Sequence, residues 1–258
     1  MAARAIWKGV IRLGDAAVPV KLYSAVEDRS VHFRLLHRDD LVPLRQAMVN
    51  PQTDEIVPYD KVRRGYVTDT GDIVVLDKND LASLEPRESR DIRIERFLPQ
   101  SAIDHRWYDR PYWLGPDGSA GAYFALSAAL RKSGKEGLAH WVMRKKEYLG
   151  ALRLQGDHPV LITLRHAEEV VVASSLKAPG GRGLDKKELG MARQLMSMLE
   201  ESFDPAAYRD EYRKRVLELI ESKSAGRTVK FRKPARKKPE EDLAAALRES
   251  LRKERKVA

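Results

Sequence analysis

Two histidines, His32 and His37, are the best candidates in this chain for metal binding or acid–base catalysis, because Asp39 and Asp40 follow them closely. Imidazole and carboxylate groups are common zinc ligands, but the separation of these residues matches no usual ligand spacing. The sequence contains no cysteine, which excludes thiolate zinc sites, disulfides and cysteine nucleophiles. His140 stands in a predicted strand and is interpreted as a packed histidine. We therefore predict no metal site and no cofactor.

Serine nucleophiles and phosphate loops find no better support. No serine stands in a Gly-x-Ser-x-Gly elbow, and Ser174 and Ser175 have no evident general base in their sequence context. The run Gly180-Gly181-Arg182-Gly183 lacks the Lys-Ser/Thr ending of a phosphate-binding loop. We predict that the chain is not an enzyme. A hydrolase or nuclease with an unrecognised site remains an alternative.

The chemistry that the sequence does offer is cationic. The formal charge is +10, and residues 222–258 hold 13 lysines and arginines against 5 acidic residues, so the rest of the chain is almost neutral. From Ser222 to Pro239 there are eight cations and no acid, a composition typical of segments that order only on a partner. Lysine and arginine neutralise phosphates regardless of base sequence. The basic tail favours a polyanionic partner, nucleic acid rather than membrane, and we expect the contacts from Lys230, Arg232, Lys233, Arg236, Lys237 and Lys238.

The elements that must carry these cations are mostly short strands. The opening residues 5–13 and 18–25 predict a hairpin around a Gly-Asp turn, with Lys8, Arg12 and Lys21 among its apolar positions. Whether these three cations face an anionic partner or water is left open. Helical periodicity covers residues 122–132, and residues 77–84 form a capped short helix. Further strands are predicted at 31–36, 73–76 (buried), 91–97, 138–144, 148–154 and 160–165. Many short strands with few helices favour a β-barrel or sandwich.

Residues 37–65 are a long irregular segment with many apolar side chains, which is unusual for a flexible linker. We interpret it as an arm that packs against something. Beyond a linker at 178–183, Asp185 and Glu188 form a capping-box pattern that begins one helix, and Asp204-Pro205 is predicted to begin a second. Glu240 to Asp242 are predicted to begin a short amphipathic helix near the end of the tail.

Several short motifs, in one order, resemble the bacterial Ku family. The match begins with Trp7-Lys8-Gly9 and the run Val18 to Ala25, and continues through His32-Phe33 to His37. Later matching motifs are Asn50-Pro51, Val57-Pro58, Gly65-Tyr66, the strand at 92–97, the helix at 125–130, Thr163 to Arg165, and Phe203-Asp204-Pro205 with Tyr208, Asp210 and Tyr212.

The resemblance implies an α+β fold, with a Ku-type β-barrel core and a long bridging arm, followed by C-terminal helices and a basic tail. It implies a core over residues 1–183 with the DNA-encircling arm at about 37–65, a helical region over 184–223 that contacts the ligase, and a largely disordered tail over 224–258. In such a protein two copies form a ring around a double-stranded DNA end. The absence of the von Willebrand-type domain of eukaryotic relatives matches the bacterial, homodimeric form.

The resemblance also implies a function, namely DNA end binding in double-strand break repair by non-homologous end joining. The protein would recruit and stimulate an ATP-dependent DNA ligase. Apolar residues of the arm and of 122–130 would help the two copies bury surface. The phosphate contacts expected outside the tail are Arg34, Arg38, Arg45, Lys61, Arg63 and Arg64 on the arm, with Arg144, Lys145 and Lys146 near the turn after the strand at 138–144.

One alternative is a basic architectural, chromatin-type protein that binds DNA without preferring ends. No apolar run approaches the roughly 20 residues of a membrane span, and Lys8 and Arg12 interrupt the apolar opening stretch. We therefore expect no membrane partner, and a location in the bacterial cytoplasm at the nucleoid.

Overall fold

The computed structural model describes residues 4–118, 120–176, 185–200 and 202–226, together with Arg248 and Arg252. Contacts along the chain divide the protein into two compact units. The first comprises Met1–Arg29 and Arg34–Ser175, and the second comprises Ser30–Phe33 and Leu176–Ala258. Each unit is described by itself.

Seven of the nine strands in the described residues close into a barrel, in the order β1-β2-β6-β9-β8-β7-β5. The strands are β1 (Trp7–Leu13), β2 (Ala16–Ser24), β3 (Arg64–Val67), β4 (Ile73–Leu76), β5 (Asp91–Pro99), β6 (Tyr108–Pro116), β7 (Lys135–Met143), β8 (Lys146–Gln155) and β9 (His158–Leu164). Neighbouring barrel strands are antiparallel except β1 and β5, which pair in parallel over three residues. The predictions of a β-barrel and of an α+β protein are confirmed.

The opening hairpin, β1 and β2, shows how the sequence builds the barrel wall. Ile11 pairs with Val18, and both side chains lie in the hydrophobic core with their alternate neighbours. Alternation with period two sends one set of side chains inward and the other outward. Gly14 turns the chain with φ of 58°, a conformation that glycine adopts without steric cost. The turn therefore takes two residues, fewer than the sequence predicted.

Two helices belong to the first unit, α1 (Lys78–Ser83) and α2 (Ala120–Ser133). The α2 helix buries Tyr123, Leu126 and Leu130 in the barrel core, and the Tyr123 hydroxyl donates to the Leu114 carbonyl at 2.8 Å. Burial of a leucine side chain stabilises a fold by about 1.5–3 kcal/mol. The predicted helix at 122–132 is confirmed, as is the capping of α1 by Asp77.

The predicted strand at 31–36 is wrong. Residues 25–35 have no regular secondary structure, and Leu36 makes only an isolated bridge with Pro43. The apolar residues of this stretch suggested a strand, but a closed barrel has no free edge to which another strand could add.

The predicted strand at 73–76 exists as β4, but it is not buried. It pairs only with β3 in a two-stranded sheet, where Ile73 is 70% exposed and Val75 is 59% exposed. The sequence had predicted burial from four consecutive apolar residues. In the single chain the first three of these side chains are exposed and only Leu76 is half-buried.

The second unit contains α3 (Lys186–Met198) and α4 (Glu211–Ser224). Asp185 and Glu188 form the predicted capping box of α3. The predicted start of the next helix at Asp204 is wrong, because Pro205–Ala207 form only a 3₁₀ turn and α4 begins after Asp210. The Asp210 carboxylate accepts from the Arg213 amide at 2.8 Å and so supplies the N-cap. None of the described helices combines the length and the apolar character that crossing a bilayer requires.

Candidate nucleic-acid interface

The arm between β2 and β3 presents its cations to solvent. Two isolated bridges, Leu36 with Pro43 and Val49 with Ile56, fold it into two short loops before a 3₁₀ turn at Tyr59–Lys61. All six predicted arm cations are exposed: Arg34, Arg38, Arg45, Lys61, Arg63 and Arg64. Long flexible cations in an irregular, exposed backbone can contact phosphates without base specificity.

The arm and the β3–β4 sheet also expose an unusual number of large apolar side chains. Leu41, Ile56, Tyr59 and Tyr66 are each at least 63% exposed. Scattered apolar residues are normal on a surface, whereas a contiguous set marks an interaction site. The set comprises Leu35, Leu36, Leu41, Val42, Leu44, Met48, Val49, Ile56, Tyr59, Tyr66, Val67, Ile73, Val74 and Val75.

The turn between β7 and β8 brings three further predicted cations together. Arg144 and Lys145 occupy the turn and Lys146 begins β8, so β7 ends at Met143, one residue before the predicted end of the strand at 138–144. Lys145 Nζ lies 2.8 Å from Glu85 Oε2, and this hydrogen bond raises the pKa of the lysine. Arg144 has no hydrogen bond or ion pair with the described residues.

A cleft beside this turn contains a cation that no sequence pattern selects, Arg90. The cleft has a volume of about 360 Å³, and its wall is formed by Trp7, Glu88, Ser89, Arg90, Val142, Arg144 and Lys145. Arg90 stands alone between a serine and an aspartate in the sequence, so its local context does not distinguish it from other arginines. Only the closure of the barrel brings residues 7, 90 and 144 together.

The three cations of the opening hairpin are paired with carboxylates. Lys8 and Lys21 each place Nζ 3.2 Å from Asp117, and Arg12 Nε lies 3.0 Å from Asp91. The hydrogen bonds from Lys21 and Lys8 lower the pKa of Asp117. Each of the three cations therefore has a carboxylate partner, and the two carboxylates leave this group of side chains with a net charge of +1.

A buried carboxylate, Glu136, lies where β7 begins. Its side chain has no exposed surface, and the Tyr108 hydroxyl donates to both of its oxygens at 2.8 and 2.9 Å. Arg153 Nη1 lies 3.9 Å away, and its guanidinium stands over the Tyr108 ring at 5.7 Å. Burial raises the pKa of Glu136, and burial together with the glutamate raises the pKa of Tyr108 to about 12. The cluster joins β6, β7 and β8.

The histidines hold no metal-like arrangement in the described part of the chain, where no group of three or more histidines and acids is placed to bind an ion. His37 Nδ1 lies 2.8 Å from Asp40 Oδ1. The hydrogen bond from the Val42 amide is the main cause that lowers the pKa of Asp40, and the hydrogen bond with His37 lowers it further. His140 is half-buried with Nε2 3.6 Å from Glu95, as expected for a packed histidine.

Some of the predicted contacts lie outside the described residues. They are the tail cations Lys230, Arg232, Lys233, Arg236, Lys237 and Lys238. The linker at 178–183 and the short helix predicted from Glu240 lie outside them as well.

Comparison with known proteins places these features in a family. The profile of the Ku70/Ku80 β-barrel domain matches residues 12–191. The chain is 36% identical over 255 residues to "Non-homologous end joining protein Ku 2" of Geotalea uraniireducens (strain Rf4), covering 98% of this chain and 99% of that protein. It is also 36% identical over 229 residues to the Ku protein of Anaeromyxobacter sp. (strain K), covering 88% and 77% of the two chains. Identity to the Ku protein of Bacillus subtilis (strain 168) is 32% over 257 residues, covering 97% and 82%.

Proposed function

The chain belongs to the Ku β-barrel family, and on that premise we propose that it binds ends of double-stranded DNA without reading their sequence. Its similar relatives carry names that assign them to non-homologous end joining, and we place this chain in that pathway of double-strand break repair. The role is binding rather than catalysis, and it is exercised at the nucleoid in the bacterial cytoplasm.

The binding unit is a ring-shaped homodimer. The observation that carries this proposal is the exposed apolar set of the arm and of the β3–β4 sheet, including Ile73 at 70% and Tyr66 at 63% exposure. A two-stranded sheet is marginally stable alone and leaves unpaired edges. Covering one isoleucine or valine contributes about 1.5–3 kcal/mol, so a second copy that covers several of them can hold the arm in place.

The phosphates of the encircled duplex meet the cations of the arm and of the β7–β8 turn. The folded body has a net charge of only +2 outside residues 222–258, so useful attraction requires cations gathered on one surface. The arm and the first residue of β3 supply six exposed cations, and Arg144 supplies one without a partner in the described residues. The basic tail over 224–258 adds sequence-independent affinity.

The region 184–223 recruits and stimulates an ATP-dependent DNA ligase of the same pathway. This region leaves large side chains exposed, among them Met196 on α3 at 72%, Tyr212 on α4 at 74% and Phe203 between the two helices at 76%. Aromatic and methionine side chains are enriched at protein interfaces, where they contribute contact area. This surface is the one to which the ligase docks.

Competition between linear and circular DNA tests the end-binding proposal. A labelled linear duplex bound to the full-length protein is titrated with covalently closed plasmid, and in parallel with the same plasmid after linearisation. A ring that threads from an end predicts displacement by the linear form at much lower concentration, measured per molecule. Equal competition would contradict threading and favour the architectural alternative, in which the basic tail binds DNA anywhere.

A further inference from the structure

Residues of two chemical kinds line the cleft beside the β7–β8 turn. Trp7 and Val142 supply apolar surface, while Arg90, Arg144 and Lys145 supply cations. Its volume of about 360 Å³ falls within the usual range of small-molecule sites. The Trp7 ring packs against the backbone of Gly9. A Cβ atom at position 9 would collide with the indole, so the glycine makes room for the ring.

The turn that presents Arg144 carries backbone strain. Arg144 and Lys145 have φ of 53° and 64°, the left-handed conformation that residues with a Cβ atom rarely adopt. Two-residue turns of this kind normally contain Asn-Gly or Asp-Gly. Glycine or asparagine at these two positions would make the turn more stable than arginine and lysine do. Strained backbone of this kind is common at functional sites, which points to a functional role for the two cationic side chains.

The donors of the cleft are only partly used. Arg90 Nη1 donates to the Lys8 carbonyl at 3.2 Å, and this bond fixes the guanidinium at the end of β1. No described residue accepts a hydrogen bond from the other guanidinium nitrogens of Arg90, and none accepts one from the guanidinium of Arg144. Glu88 stands on the same wall and Glu85 neutralises Lys145, so the net charge of the site is about +1. Guanidinium groups match the geometry of phosphate oxygens, which they can bind in pairs.

We propose that this cleft binds the terminal nucleotide of a DNA end, with its 5′-phosphate between Arg90 and Arg144 and its sugar and base against Trp7 and Val142. The inference rests on the proposed function and deepens it, since it names the group at the end that the protein recognises. A terminal phosphate monoester carries more negative charge than an internal diester. It therefore offers the two guanidinium groups more charge and more acceptor oxygens than an internal phosphate does.

The test uses a duplex closed at one side by a hairpin loop, so that each molecule has a single open end. Full-length protein is titrated by fluorescence anisotropy against this DNA with a 5′-phosphate or with a 5′-hydroxyl. We expect about tenfold tighter binding of the phosphorylated end, because two charge-assisted hydrogen bonds are gained. Arg144→Gln should remove the preference, since it should weaken binding of the phosphorylated end about tenfold more than binding of the hydroxyl end.

Two further variants keep the test independent of folding and of overall charge. Arg144→Gly removes the same side chain and also relieves the strained backbone, so loss of the preference in this variant cannot be ascribed to misfolding. Arg131→Gln removes one cation elsewhere on the barrel, where Arg131 Nη2 lies 2.6 Å from Asp157, and should keep the preference.

The inference is overturned if the wild type binds both ends equally or if the preference survives both Arg144 substitutions. Equal weakening of both ends by Arg144→Gln would assign the cleft to an internal phosphate and would also overturn it. These outcomes differ from failure of the proposed function, which shows as equal competition by linear and circular DNA. A protein that prefers linear DNA yet ignores the 5′-phosphate would refute only the terminal-nucleotide site.

Discussion

The hydroxyl of Tyr108 donates to both carboxylate oxygens of Glu136, at 2.8 and 2.9 Å, across 28 positions of sequence. Glu136 has no exposed surface, and burial raises its pKa above the ordinary value of 4.5. A raised carboxyl pKa in the folded state means that ionisation costs stability. The cost is absent below the unfolded pKa, grows as the pH rises towards the folded pKa and is complete above it.

The first prediction concerns Glu136→Gln, which keeps an acceptor for Tyr108 but cannot ionise. The free energy of unfolding of the variant minus that of the wild type should be more positive at pH 7 than at pH 4. The reason is that at pH 7 only the wild type bears the cost of a buried charge. Urea unfolding followed by tryptophan fluorescence at both pH values measures it. A difference that does not change with pH would show that Glu136 titrates normally.

Tyr108→Phe should instead destabilise by about 1–3 kcal/mol, since the buried carboxylate is deprived of its donor.

The second prediction concerns the strained β7–β8 turn. Arg144→Gly should raise the free energy of unfolding by about 1 kcal/mol, because glycine adopts the left-handed conformation without steric cost. The matched control is Gly156→Ala in the turn between β8 and β9, where φ is 59° and nothing lies within 4 Å of an added Cβ atom. That substitution should lower stability by a similar amount, about 1 kcal/mol. Denaturant midpoints of the two variants that moved in the same direction would contradict this account.

Much of the barrel could be predicted because its strands alternate apolar and polar residues. Residues 91–97, 138–144, 148–154 and 160–165 show this period, or a β-branched run, and all became barrel strands. The stretch at 31–36 also contains apolar residues typical of a strand, but it has no sheet edge with which to pair. Strand β4 has an apolar sequence typical of a core strand, yet its first three side chains are exposed in the single chain. Local pattern specifies which segments can be strands, while pairing decides which become buried.

The candidate site was predictable only in part for the same reason. Cations of the arm, such as Arg38 and Arg45, could be selected from the sequence because the resemblance to the Ku family assigns the arm to DNA. The link between Lys8 and Asp117 spans 109 positions, and the meeting of Arg90 with Arg144 depends on barrel closure, so neither has a local signal. The sequence predicts a turn after the strand at 138–144. The left-handed conformation of Arg144 and Lys145 could not be foreseen, because the pair lacks the usual Asn-Gly signature.

The third prediction tests the dimer through the β3–β4 sheet. Val75→Asp places a charge on a side chain that is 59% exposed, so the fold of the single chain should tolerate it while a covered interface should not. Size-exclusion chromatography with light scattering should give the mass of a dimer for the wild type and of a monomer for the variant. Val171→Asp in the segment after β9, where the valine is 69% exposed, is the matched control and should remain a dimer. A Val75→Asp protein that stays dimeric would remove this sheet from the interface.

The last prediction concerns the basic tail. Deletion of residues 227–258 leaves α4 intact, since that helix ends at Ser224 and the Gly226 amide closes it by donating to the Lys223 carbonyl. For every phosphate that the tail neutralises, the deletion should reduce the slope of log affinity against log salt by about 0.9, so the truncated protein should bind linear DNA more weakly and with a flatter salt dependence. The measurement is a titration at several salt concentrations, with the dimer mass checked in parallel. An unchanged slope would show that the tail touches no phosphate, and loss of the dimer would show that the tail contributes to assembly instead.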